Sequence, residues 1–535
     1  MKEQSTTKGF AILSLAGMMV KVLSLLYIPF LRVIITDEGY GVYGAAYSVY
    51  VFIFVLTNSG IPVAISKLIS ELTAVGNYKD AVKTFKIARF MLLIIGIFMT
   101  GLMLLFSSPI SKGINQRRAY LSIIALSPAV LFTSIASAYR GYFQGWGNMT
   151  PTAISQVIEQ VGNTIFTLLF GIFLIKYGLE AGCAGATMGT SIGAFLSAIF
   201  LIIVYEKNKK IKIPSKFKEV EIKRHTNKEI ISKIVNYGIP ITVCVGMTYA
   251  GDLIDLSNTM GRLIVGGKLE GEASKLYGFL VKYKQLINVP IAIITSLAVA
   301  ILPAISSAAA INDRDTVKSK IRYAFRICFL IAIPSAVGLG ILSGAIFNML
   351  KFGDGAYLMK YGSIVVVLMS IMQIQTTILQ SIGKLYTATL YAVIGIVCKI
   401  VANYFLIAIP SLNILGAIYG SIIGYLVPIL LNHRMLLKSL NIKFKLLEQA
   451  KKPAIASMFM GLVVILSNLF LSKFFNLHLK GYFANTIVTI IAVVLGMYAY
   501  LFAMVITGGI TKEDFKVFPR KLNRFIPNFI MKKMK

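Results

Sequence analysis

The chain has 535 residues, of which 57% are hydrophobic and only 14% charged, and its mean hydropathy is +0.77. That leaves too little polar surface for a water-soluble globule of this length and points to a polytopic membrane protein. A formal charge of +33 would suggest nucleic acid in a soluble chain; here the lysines gather in particular loops and report orientation, so no nucleic-acid partner is expected.

Apolar stretches long enough to cross the hydrocarbon, at about 20 residues each, recur near residues 9–35, 40–70, 84–107, 117–144, 150–176, 181–205, 231–257, 276–309, 320–349, 358–382, 386–409, 413–437, 453–475 and 481–507. They predict an all-α polytopic fold of about 14 transmembrane helices. The first segment is too long for a signal peptide, carries Lys21 internally and lacks a suitable cleavage site, so it is expected to stay in the membrane. The richest basic segments run from Lys207 to Lys233, from Arg434 to Lys452 and from Lys512 to Lys535. An even number of spans puts them on one side with Lys79, Lys83 and Lys86, which the positive-inside rule assigns to the cytoplasm together with both termini. Lys112, Arg117 and Arg118 run against the rule. Basic cytoplasmic loops attract anionic headgroups at about 1 kcal/mol per residue, so anionic membrane lipids are expected partners.

Short phrases occur twice in the same order. Ala64-Ile65-Ser66 returns as Ala304-Ile305-Ser306, Phe143-Gln144-x-x-Gly147 as Leu379-Gln380-x-x-Gly383, and Gly185-Ala186-x-x-Gly189-x-x-Ile192-Gly193 as Gly416-Ala417-x-x-Gly420-x-x-Ile423-Gly424. An even number of spans separates the copies. Both halves then share one orientation, as two six-helix lobes related by a pseudo-twofold axis along the membrane normal. The expected layout is residues 1–206 as the N-lobe, 207–230 as a cytoplasmic linker and 231–438 as the C-lobe. A loop follows at 439–452, then two added helices at 453–507 and a basic tail at 508–535. The glycine rows admit a neighbouring helix closely, either as static packing or as a gate.

Ionisable groups inside spans cost about 3 kcal/mol or more at the bilayer centre unless they face protein or a wet cavity. In the first span Lys21 and Arg32 return to within about 20° of one another on the helix, and Gly17 and Ser24 share the Lys21 stripe; Pro29 lies between the two cations. Gln156, Glu159 and Asn163 form a polar stripe in the fifth span, where Glu159 either pairs with an intramembrane cation or carries a coupling proton. At the displacement of the Phe143/Leu379 phrase, Asn163 matches Lys399. Asp252 and Asp255 lie one turn apart in the seventh span, followed by Arg262; Lys282 and Lys284 in the eighth point about 200° apart, so only one of them can face a given cavity. With Asn58, the candidate substrate-binding set is Lys21, Arg32, Asn58, Gln156, Glu159, Asn163, Asp255, Arg262, Lys282, Lys284 and Lys399.

Cys183, Cys244, Cys328 and Cys398 sit singly in apolar segments, and His225, His433 and His478 are scattered. Neither spacing suits a metal. Phosphate-loop and nucleophile-elbow motifs and paired catalytic carboxylates are absent from plausible contexts, so neither an enzyme nor a cofactor is expected.

The stretch from Phe325 to Gly344, FRICFLIAIPSAVGLGILSG, resembles the ninth span of MurJ-type lipid II flippases. The run from Tyr139 to Gln160, with Ser59-Gly60-Ile61-Pro62-Val63-Ala64-Ile65-Ser66-Lys67, is similar to the stage V sporulation protein B branch of the same polysaccharide-transporter family. The resemblance runs from the first span through the twelfth. It implies the multidrug/oligosaccharidyl-lipid/polysaccharide exporter fold, two six-helix lobes around a central cavity with two extra helices. It also implies cavity cations for a pyrophosphate and a groove for a lipid tail. Lys21 falls where the family has a first-span arginine, and Asp255 and Arg262 resemble a seventh-span Asp and following arginine. Tyr27 stands for the next first-span arginine, apolar residues around Ile53 and Phe54 for second-span arginines, and Gln285, beside Lys284, for an eighth-span arginine.

The expected function is a flippase carrying an undecaprenyl-pyrophosphate-linked cell-wall precursor, lipid II first among them, from the inner to the outer leaflet by alternating access. A diphosphate in a low-dielectric cavity requires fixed cations, and membrane potential or a coupling H+ or Na+ would drive the cycle. A cation-coupled drug or other polysaccharide-lipid exporter on the same fold, and a non-transporting sporulation or division scaffold, are the alternatives.

Overall fold

A computed structural model describes residues 6–208, 224–310, 313–440, 445–478 and 481–509. Most of the expected linker, 209–223, and of the basic tail, 510–535, lies outside the described residues. Those described form α1 (Thr6–Leu26), α2 (Ile28–Asn58), α3 (Gly60–Ala74), α4 (Tyr78–Leu105), α5 (Ser107–Gly113), α6 (Tyr120–Gly145), α7 (Thr150–Leu174), α8 (Leu179–Asn208) and α9 (Asn227–Val265). There follow α10 (Glu270–Ala310), α11 (Arg314–Ile341), α12 (Ser343–Met349), α13 (Ala356–Gly362), α14 (Val365–Ser381), α15 (Leu385–Leu406), α16 (Leu415–Leu440), α17 (Leu446–His478) and α18 (Tyr482–Ile506). The protein is all-α and multi-pass: among the described residues eleven helices are long and apolar enough to cross a membrane, or twelve if the bent pair α13–α14 is one span.

Every apolar segment expected from the sequence falls on helix, but the first is broken. Tyr27 makes a turn between α1 and α2, and Thr36 interrupts α2 with φ 62° and ψ 178°. The apolar stretch Ile28–Ala74 has 47 residues, which at 1.5 Å each would run about 70 Å as one rod, twice the hydrocarbon thickness. It is interrupted at Thr36 and again at Ser59, between α2 and α3.

The repeated phrases correspond to repeated structure. Adding 236 to the bounds of α4, 78–105, gives 314–341, those of α11; α5 maps in the same way onto α12, and the start of α8, 179, onto that of α16, 415. Phe143-Gln144-x-x-Gly147 ends α6 with Gly147 N–H donating to Gln144 O (2.9 Å) and Asn148 N–H to Phe143 O (3.0 Å); at the end of α14, Gly383 donates to Gln380 O (3.1 Å) and Lys384 to Leu379 O (2.8 Å). Gly147 and Gly383 have φ of 69° and 76°, the left-handed conformation this helix ending needs.

The first glycine row is a backbone-to-backbone seam. A Cβ on Gly185 would meet Phe170 O at 2.4 Å, on Gly189 Thr167 N at 2.4 Å, and on Gly193 Glu159 O at 2.4 Å, so α8 lies directly on α7. In the second repeat, a Cβ on Gly424 of α16 would meet Lys399 Cβ at 2.6 Å, just as one on Gly193 would meet Asn163 Cβ at 3.2 Å, and a Cβ on Gly395 of α15 would meet Gly424 O at 2.4 Å and the Pro428 ring at 2.7 Å.

The chain forms two compact units, Met1–Val281 with Asn403–Ile414, and Lys282–Ala402 with Leu415–Lys535. Within the first, an aromatic core gathers Phe85, Tyr139, Tyr142 and Tyr205, with Phe85 and Tyr142 centroids 4.6 Å apart. Within the second, α11, α14 and α16 share a core containing Phe325, Phe329, Ile378 and Leu436. The last two helices form a separate cluster with Leu342, through Met460, Val464, Ala492 and Met504, against Val337 of α11 and Ile346 of α12, and the Tyr500 hydroxyl donates to Leu330 O at 2.9 Å.

Candidate functional site

The turn at Tyr27 puts the two first-span cations on separate helices, Lys21 on α1 and Arg32 on α2. Lys21 is exposed on α1, its side chain is without a partner among the described residues, and nothing among them would lie within 4 Å of a Cβ on Gly17. Arg32 lies beyond the Tyr27 turn and forms a two-point ion pair with Asp37, Nε to Oδ1 at 2.7 Å and Nη2 to Oδ2 at 3.1 Å. The pair straddles Thr36, whose backbone conformation costs about 1–3 kcal/mol in a non-glycine residue, and so ties the strained turn together. Beside it is a cavity of about 410 Å³ lined by Arg32, Val33, Thr36, Asp37, Glu38 and Lys275. Glu38 is paired with Arg118.

In the interior of the first unit, Glu159 pairs with Arg140 of α6 (Nη2 to Oε2, 2.6 Å), which also donates to Ser155 Oγ (3.0 Å) and Ser197 Oγ (2.9 Å). One arginine thus joins α6, α7 and α8. One turn on, Asn163 Oδ1 accepts from Thr167 Oγ1 (2.9 Å) and Thr190 Oγ1 (3.2 Å), and Thr190 is 3.1 Å from the Tyr47 hydroxyl. Gln156 is half-buried with no side-chain partner among the described residues. Asn58, at the junction of α2 and α3, donates to Thr57 Oγ1 (2.6 Å), while its Oδ1 is buried and unbonded.

Asp255 is 2% exposed and accepts from Asn403 Nδ2. Arg262 donates Nε to Tyr404 O (2.8 Å) and stacks 4.0 Å from the Tyr404 ring. Lys282 is fully buried, its ammonium donating to Phe352 O (2.6 Å) and Asp354 O (3.2 Å), where it staples the turn after α12. Lys284 is half-buried, and Lys399 lies half-buried against Gly424. The structure therefore brings Glu159 and Asn163 into one polar interior and sets Arg32, Asp255 and Arg262 in separate pairs. Lys21 and Gln156 are left unengaged.

Sequence reasoning missed Arg140, Asp37, Asn403 and Lys275. For Arg140 a signal existed: it is the one cation in the apolar segment 120–145, and such a residue requires an acidic partner. Asp37 and Asn403 sit near segment ends, where a polar residue is unremarkable.

Comparison with known proteins agrees with this fold. The chain is 28% identical over 456 residues to stage V sporulation protein B of Bacillus subtilis (strain 168), covering 84% of this chain and 87% of that protein. It is 25% identical over 547 residues to lipid II flippase MurJ of the same organism, covering 98% of each. A solved structure of lipid II flippase MurJ in an inward closed conformation aligns with a TM-score of 0.69 at 16% identity, covering 93% of this chain and 98% of that one. The model of a family described as polysaccharide biosynthesis protein matches residues 6–309, more than half of the sequence. The chain belongs to the polysaccharide biosynthesis protein family.

Proposed function

We propose that this protein is a flippase that moves an undecaprenyl-pyrophosphate-linked cell-wall precursor, with lipid II the first candidate, from the inner to the outer leaflet for peptidoglycan synthesis. The observation that carries the reading is Lys21: a cation within the apolar helix segment Leu15–Leu26, exposed and without a counter-ion among the described residues. A lone charge in such a segment is costly in a bilayer unless water or an anion meets it, and a pyrophosphate is such an anion. The relatedness to a lipid II flippase over nearly the whole chain supports the same substrate class. Lys284 and Lys399 would add positive charge, Arg32 would do so on leaving Asp37, and Asn58, Gln156, Asn163 and Arg262 would hydrogen-bond a sugar headgroup. Glu159, Asp255 and Lys282 would hold the walls through the pairs described above.

The topology belongs to the same proposal. Fourteen crossings, both termini cytoplasmic, give an N-lobe at 1–206 and a C-lobe at 231–438 related by a pseudo-twofold along the membrane normal, with 453–507 as an added pair. Anionic lipids would meet the basic loops, and H+, Na+ or the membrane potential would drive alternating access.

Complementation tests the reading. Expressed in a bacterium depleted of its lipid II flippase, the unaltered protein should restore growth and Lys21→Ala should not. Absence of rescue by the unaltered protein overturns the lipid II assignment, and full rescue by Lys21→Ala overturns the cation site. A scaffold would tolerate loss of the intramembrane charges, and a cation-coupled drug exporter would not support growth at all.

A further inference from the structure

We propose that the turn between α3 and α4 is a latch that holds the first turn of α9 against α3, and that this latch is released when the transport cycle opens the end of the molecule bearing the basic linker. The proposal rests on alternating access as set out above and identifies the groups that keep one of its gates shut.

The carboxylate of Asp80, 3% exposed, is aimed at the residues just before α9. Its Oδ2 accepts the His225 backbone N–H at 2.8 Å and Asn77 Nδ2 at 2.9 Å. Arg224 Nη1 is 3.9 Å from Asp80 Oδ1 and donates to Asn77 Oδ1 at 3.3 Å, while Lys83 Nζ donates to the His225 carbonyl at 2.8 Å. Both backbone groups of His225 are therefore held by α4 and its cap. A buried carboxylate is stable here because it also lies in the first turn of α4, where the helix dipole favours negative charge.

This grip is transmitted to the helix. Thr226 and Glu229 form a reciprocal capping box, with Glu229 N–H to Thr226 Oγ1 at 3.2 Å and Thr226 N–H to Glu229 Oε2 at 3.1 Å, so His225 is followed at once by ordered helix. Two to four turns along, α9 lies on α3. Lys67 Nζ is 3.8 Å from the Tyr237 ring centroid, and Gly60 faces Gly238 so closely that a Cβ on Gly60 would be 1.9 Å from the Gly238 carbonyl oxygen. Among the described residues no backbone hydrogen bond joins Gly60 to Gly238. The part that can be switched is the charged grip on His225, since hydrogen bonds to ionised groups are the stronger ones and depend on one carboxylate.

The test measures the separation of α3 and α9 directly. With the four native cysteines replaced by alanine, spin labels at Val75→Cys and Ile231→Cys, both exposed, report the distance by double electron–electron resonance in lipid nanodiscs. Asp80→Ala should raise the ratio of long to short separations by about tenfold, the equivalent of one lost charge-assisted hydrogen bond. Lys83→Met and Gly60→Ala should shift it in the same direction. Should Asp80→Ala fail to fold, Lys83→Met decides the matter, with Gly60→Ala serving only to show that the labels detect separation of α3 and α9. Distributions for Asp80→Ala and Lys83→Met that match the parent overturn the latch. The readout needs no substrate, so a parent protein that fails to rescue flippase-depleted cells would refute the functional reading while the distance ratio still judges the latch.

Discussion

Arg140→Met removes the group that joins three helices of the first unit, and its effect can be worked from the contacts. The guanidinium loses Ser155, Glu159 and Ser197, and Glu159 is left with a side chain only 26% exposed and no cation at 2.6 Å. Stranding one member of a buried pair costs about 3–5 kcal/mol, and the partial exposure of Glu159 places this case near the lower end. Glu159→Met should cost a similar amount by stranding Arg140. The double variant carries no stranded charge and should lose about 0–2 kcal/mol, far short of the roughly 6 that independent effects would give. Unfolding can be followed with a thiol-reactive dye, because Cys183, Cys244 and Cys328 are buried and react only as the helices separate. The apparent melting temperature should fall for each single variant and recover in the double. A double variant as unstable as the sum would refute the pairing. Glu159→Gln with transport intact would show that Glu159 carries no coupling proton.

Two further outcomes are expected. Gly193→Ala drives a methyl to within 2.4 Å of Glu159 O and should lower the melting temperature by an overpacking cost of about 1–3 kcal/mol, whereas Gly17→Ala meets nothing and should be neutral or stabilising by up to about 1 kcal/mol. At the start of α11, Thr316 holds the Asp313 carboxyl below the usual carboxylate range, through its side chain first and its backbone N–H second. That cap is complete above the ordinary carboxylate pKa and is lost as pH falls through the lowered value. Corrected for intrinsic exchange, amide exchange at Thr316 and Val317 should therefore accelerate on acidification below about pH 4, with Asp313→Asn showing a weaker dependence.

The helical architecture was legible because its signals are local. A row of glycines reads as close helix contact, and Gln-x-x-Gly reads as a helix ending in a left-handed residue, so the doubled phrases carried real structure at Gly147, Gly383 and Gly193. The matching of Asn163 to Lys399 followed from spacing alone and reappears in their contacts with Gly193 and Gly424. Side-chain partners were less legible because they depend on contacts between helices far apart in sequence. Glu159 finds Arg140 on another helix, and Lys282 is taken up by carbonyls 70 and 72 residues away. The stripe drawn through Lys21 and Arg32 assumed a continuous helix, and the turn at Tyr27 interrupts it.

One consequence lies in the seam of the second repeat. Where α7 and α8 are bolted together by Arg140, Glu159 and Ser197, their counterparts α15 and α16 meet as Gly395 against Gly424 O and the Pro428 ring. Proline has no N–H to return to the carbonyl four residues earlier, which is that of Gly424. The same helix crossing thus carries a charged clamp in one copy and a proline set against a glycine in the other. Bending within the paired helices is to be sought in α16 at Pro428, where one backbone hydrogen bond of the helix is missing.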